Sequence, residues 1–143
     1  MKAKRNAFTL VEILIVVVIM AVLAATIIPQ FTASTKDAQE STVIFNLQAL
    51  RSQVELYKAQ HNGSHPTSLN LLTVKTNADQ TTTGTPLLGP YLLRLPENSF
   101  NGQSGVGSTT SDPPTAVGAA TEGWLYNATN GKVYINDAAY FTE

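Results

Sequence analysis

One carboxylate in this chain stands where a carboxylate is costly. Glu12 lies inside FTLVEILIVVVIMAVLAATII, residues 8–28, where 18 of 21 side chains are apolar. A charge within such a run needs a partner or a route to water, and an intramembrane charge is a functional feature by default. The remaining reactive side chains form no comparable arrangement. His61 and His65 have a spacing that could bind metal on a helix. Gly63 lies between them and Pro66 follows, so they are expected in a surface loop. No two acids form a paired-acid motif, and there is no Cys to act as nucleophile, zinc ligand or disulfide half. Asn62-Gly63-Ser64 and Asn127-Ala128-Thr129 match the glycosylation sequon, which counts for little behind a bacterial-looking export signal. The chemistry legible here is that of a buried charge, not of an active site, so the chain is read as a non-enzyme.

The element that must carry Glu12 is a membrane helix. Twenty-one helical residues span about 30 Å, the thickness of a bilayer core. Lys2, Lys4 and Arg5 precede the run, and no Lys or Arg follows until Lys36. The N-terminus is therefore expected in the cytoplasm and the rest exported. A plain anchor explains the length and flank. A secretory signal peptide, with Ala24 and Ala25 for cleavage, explains the basic start, but its apolar core should be shorter, roughly 7–15 residues. Neither explains Glu12. Outside residues 8–28 the composition is polar, and the formal net charge of the chain is -1. Bulk charge gives no reason to expect nucleic acid as a partner.

The string Ala7-Phe8-Thr9-Leu10-Val11-Glu12, behind a short basic leader and ahead of an apolar run, resembles the cleavage and methylation motif of type IV prepilins. Type IV pilins and type II secretion pseudopilins share that motif. The family usually has Gly before the cut. This chain has Ala7, also small, so processing is expected. The resemblance implies cleavage between Ala7 and Phe8 by a prepilin peptidase and N-methylation at Phe8. It implies that Glu12 pairs with the Phe8 amine of a neighbouring subunit. Opposite charges attract strongly in a low-dielectric bundle, and each alone is expensive to bury, so such a pair would set the stagger between subunits. The bland alternative is that Glu12 lies at the interface and snorkels to water. Losing the leader removes three basic residues, leaving 6 Lys+Arg against 10 Asp+Glu, or about -4.

Pro29 would lose the bond to the Ala25 carbonyl and kink or loosen the preceding turn. Residues 30–60 then contain no Gly or Pro. Val43, Leu47, Leu50, Val54 and Tyr57 recur at steps of 4, 3, 4 and 3, one helical stripe. The spacing predicts a helix from about Thr9 to Gln60. Its second half lays the stripe on a domain core, because two heptads are too few for a dedicated zipper. Asn62-Gly63 is a stop, and Thr67 or Ser68 can cap a short helix over Leu69–Val74. Residues 77–86 read as a polar loop and residues 102–123, with five Gly and two Pro, as a long surface loop. Two strands rich in aromatic and β-branched residues flank Asn130-Gly131, a hairpin signal. YKAQHNGSHPTSLNLL, YLLRLPENSFNG and GWLYNATNGKVYIN also resemble the major pseudopilins.

The expected architecture is α+β, a long helix packed on a small antiparallel sheet. Residues 1–7 form the leader, 8–29 the transmembrane helix, 30–61 its amphipathic continuation and 62–143 the exported domain. The resemblance implies a subunit of a type IV pilus-like or type II secretion filament. Its expected partners are the prepilin peptidase, homologous subunits, and an inner-membrane assembly platform with its ATPase. It would sit in the inner membrane as a single-pass protein with its domain in the periplasm, and in a periplasmic or extracellular filament after assembly. A membrane-anchored minor pilin acting in adhesion or DNA uptake is the alternative. Major pseudopilins often bind Ca²⁺ ahead of their last strands. The resemblance thus singles out Asp112 and Glu122, with Asn101, as oxygen ligands.

Overall fold

A computed structural model describes residues 8–142, so the leader, including Ala7, lies outside the described residues. The long helix α1 runs Leu10–Gln60. Thr9 starts it: the Thr9 hydroxyl accepts the Glu12 N–H at 3.2 Å. The Glu12 carboxylate accepts the Thr9 N–H at 2.8 Å. This is a reciprocal capping box, Thr-x-x-Glu, that satisfies two backbone donors at once. The helix continues through Pro29. Hydroxyls on either side turn inward to backbone carbonyls, Thr26 to Leu23 and Thr32 to Ile28. Asn62 and Gly63 end it with φ of 55° and 82°. The Gly63 N–H reaches back to the Lys58 carbonyl at 2.9 Å, the six-to-one bond of a Schellman stop.

The chain divides into two compact units, through Ala38 and from Gln39 onward. That boundary falls inside α1 and not at its end. In the first unit every large apolar side chain from Phe8 to Phe31 is more than half exposed. Among the described residues α1 is the one helix long and apolar enough to cross a membrane.

In the second unit the stripe Val43, Leu47, Leu50, Val54 and Tyr57 is buried, as its spacing predicts. It packs with Leu69, Leu72, Trp124, Tyr126, Val133 and Ile135 in one core. Leu69 and Leu72 come from a 3₁₀ turn, Leu69–Thr73, capped by Ser68. The strands are β1, Gly105–Ser108, β2, Glu122–Asn127, and β3, Lys132–Ile135. Trp124 pairs with Ile135 and Tyr126 with Val133 across β2 and β3, so alternation sends these four to the helix. Leu125 and Tyr134, also paired, face the other way and bury with Phe141. Two aromatic tips of this core find partners: Trp124 Nε1 donates to the Pro96 carbonyl at 2.8 Å and the Tyr126 hydroxyl to that of Pro66 at 2.7 Å.

Two expectations need correcting. The sheet is mixed: β2 and β3 are antiparallel, but β1 runs parallel to β2. And residues 102–123 are not all loop, since β1 lies among them. Its glycines are what admit it. A Cβ at Gly107 would strike the Glu122 carboxylate and the Leu125 side chain, and one at Gly105 the Thr121 carbonyl.

Candidate functional site

The N-terminal site consists of Phe8, Thr9 and Glu12. Phe8 is 81% exposed. The Glu12 carboxylate is held by its own helix start, accepting from the Thr9 hydroxyl at 2.9 Å as well as from the Thr9 N–H. The sequence reading gave Glu12 a partner only in a neighbouring subunit, the Phe8 amine. The structure supplies a local one. The signal was present in Thr9-x-x-Glu12, the capping-box spacing. Within the described residues the carboxylate is thus hydrogen-bonded by its own helix start.

The second unit positions the remaining candidates. Asp112 sits at the hairpin. Lys132 Nζ lies 2.7 Å from its Oδ2, Asn130 Nδ2 donates to the same oxygen at 2.9 Å, and the Tyr134 hydroxyl donates to Oδ1 at 2.6 Å. The Lys132 bond, then that from Tyr134, holds the Asp112 carboxyl below its usual range. Burial, reinforced by the Asp112 bond and charge, pushes the Tyr134 phenol up to about 12. Glu122 faces a different set: its Oε2 accepts the Ala119 N–H at 2.8 Å beside Gly107 and Gly118. Asn101 donates to the Glu122 carbonyl at 2.9 Å and accepts the Gln103 N–H at 3.0 Å. Of the three residues singled out for calcium, Asn101 and Glu122 are thus hydrogen-bonded to each other, while Asp112 has a separate set of partners. Among the described residues no three His, Cys, Asp or Glu side chains group as metal ligands.

His61 is a third correction to the sequence reading. It is fully buried, not in a surface loop. Nδ1 lies 2.8 Å from the Tyr57 carbonyl and Nε2 2.8 Å from the Thr76 hydroxyl. A carbonyl only accepts, so Nδ1 donates to Tyr57, while the Thr76 hydroxyl serves Nε2 as donor or acceptor. The ring stacks on Tyr57 with centroids 3.6 Å apart. Thr76 in turn pairs with Leu88 through two backbone bonds, so His61 ties the helix end to the following loop. The signal was its position: 61 is the next step of four in the stripe after Tyr57. His65 is half-buried, and Gly131 leaves the space its ring fills.

A long apolar helix opened by a Thr-Leu-Val-Glu cap, with an α+β unit built on its C-terminal half, defines a pilin-type subunit. The prokaryotic N-terminal methylation motif matches residues 2–28. Type II secretion system core protein G of Dickeya chrysanthemi is 30% identical over 72% of this chain and 68% of its own length. That of Klebsiella michiganensis is 31% identical over 71% and 72%, and that of Klebsiella pneumoniae 32% over 68% and 70%. The chain belongs to the type II secretion system core protein G family, the pseudopilins. No solved structure matches it.

Proposed function

We propose that this chain is a structural subunit of a type II secretion pseudopilus, held in the inner membrane by the first half of α1 until it is assembled. Prepilin peptidase cuts between Ala7 and Phe8 and methylates the Phe8 amine. The domain lies in the periplasm, and an assembly platform with its ATPase draws the subunit out of the lipid. Apolar helices then pack on like helices, since the exposed side chains from Phe8 to Phe31 need a replacement for lipid contact. The observation that carries this reading is the prepilin motif at residues 2–28, with Glu12 in the first turn of a helix long enough to span a bilayer.

Glu12 has two successive hydrogen-bonding environments on this reading. Before assembly the Thr9 N–H and hydroxyl satisfy it. In the filament the charged Phe8 amine of a neighbour joins them. A subunit out of register leaves both charges unpaired in a low-dielectric core, so the pair selects the stagger. The test is co-expression with a prepilin peptidase followed by intact-mass measurement. The expected product starts at N-methylated Phe8. An uncut chain, or one cut near Ala24 and Ala25 instead, would overturn the reading.

A further inference from the structure

The loop between β1 and β2, residues 109–121, carries Gly, Pro, Ser and Thr but few apolar anchors. Pseudopilin likeness implies a calcium ion in this region. The donor set here does not fit one. Ca²⁺ takes six to eight oxygen acceptors, whereas Asp112 faces hydrogen-bond donors on both oxygens. The amide of Asn130 is oriented by its own bonding: its Oδ1 accepts the Lys132 N–H at 3.0 Å, so it is Nδ2 that meets Asp112. Asn136 is oriented the same way. Its Oδ1 accepts the Gly118 N–H at 2.7 Å, and its Nδ2 donates to the carbonyls of Glu122 and Ala119 at 2.7 and 3.2 Å. Carbonyls that a metal would need are thus already bonded by a side-chain amide.

We propose that in this chain an internal cation, the Lys132 ammonium, stands in place of a divalent metal, with Asp112 as the anchor that fastens the loop to the hairpin. Asn130, Lys132 and Tyr134 alternate, so three successive same-side positions at the turn and along β3 present donors to one carboxylate. Asn136 and Glu122 hold the other end of the loop, at Gly118 and Ala119. The loop is clamped at two points by groups that fold with it. The domain therefore reaches its final form without metal loading, in a chain with no Cys to close a disulfide.

The test uses the full-length chain in detergent. Calcium held by the folded state at a hundredfold its dissociation constant would raise the melting temperature by roughly 10 °C or more in a domain of this size. Melting curves with calcium chloride and with chelator are expected to superimpose, and a rise of that size overturns the proposal. Lys132→Met is expected to speed proteolytic cutting between residues 109 and 121 by roughly two- to fivefold, the range for a half-exposed ion pair. Lys132→Arg should restore near-native resistance. Cutting of Lys132→Met at the native rate overturns the role of the ammonium even if the curves superimpose.

Discussion

Glutamine at position 12 separates the capping role of the native glutamate from the charge-pairing role proposed for it. The carboxylate accepts the Thr9 N–H at 2.8 Å and the Thr9 hydroxyl at 2.9 Å. A Gln side chain keeps an acceptor oxygen at the same reach, and Glu and Gln both serve in a capping box. Glu12→Gln therefore leaves the helix start intact and removes only the charge. Glu12→Ala removes both, and Thr9→Ala removes the cap hydroxyl, at about 1 kcal/mol of helix stability, while keeping the charge. Removing one partner of a buried ion pair strands the other, an effect of roughly a hundred- to thousandfold in an equilibrium. The expected pattern is normal membrane insertion and cleavage for all three variants. Sheared filament yield should fall by about that factor for both Glu12 variants and much less for Thr9→Ala. Cleavage is read by gel mobility in a pulse-chase, methylation by mass, and assembly by the pelleted filament fraction. Glu12→Gln filaments at native yield would refute charge pairing and leave Glu12 as a helix cap alone.

Other perturbations follow from the second unit and the proposed cut site. His61→Phe keeps a ring against Tyr57 but strips Thr76 of its buried partner, which should cost about 1–3 kcal/mol; chemical denaturation of the full chain in detergent measures it, and an unchanged midpoint would contradict the hydrogen-bonded burial. Asp112 has a lowered folded pKa, chiefly through Lys132. Its contribution is therefore present above the unfolded carboxyl range, about pH 4, and is lost as pH falls through the lower folded value. Tyr134 titrates near 12 when folded against about 10 unfolded, so its contribution holds below pH 10 and disappears between 10 and 12. Tyr134→Phe should flatten the alkaline loss, and Asp112→Asn the acid one, in denaturant midpoints taken against pH. Ala7→Gly, which restores the usual small residue before the cut, should raise the initial rate of processing, seen as a faster-falling precursor band.

Much of the fold is legible because it rests on near neighbours. The buried face of α1 follows from five apolar side chains at alternating steps of four and three. The stop at Asn62-Gly63 follows from residues that accept positive φ, and the hairpin from aromatic and β-branched runs around Asn130-Gly131. The strand β1 was not legible. Gly105-Val106-Gly107-Ser108 has no alternating apolar pattern, and it becomes a strand because Glu122–Asn127 offers it a parallel edge across a long connection. Its glycines report the close approach of Glu122, which spacing along the chain does not show. His61 was missed because the turn signal beside it outweighed its place at the end of the stripe.

By itself the sequence determined the long apolar helix, its cap and its family, since each depends on residues within a few turns of one another. Tertiary structure alone decided what the polar side chains of the second unit do. Asp112 meets Lys132 and Tyr134 across twenty residues or more, and His61 meets Thr76 across fifteen. A carboxylate in a glycine-rich loop reads the same on paper whether donors or a metal surround it. Only the folded hairpin places three donors around Asp112.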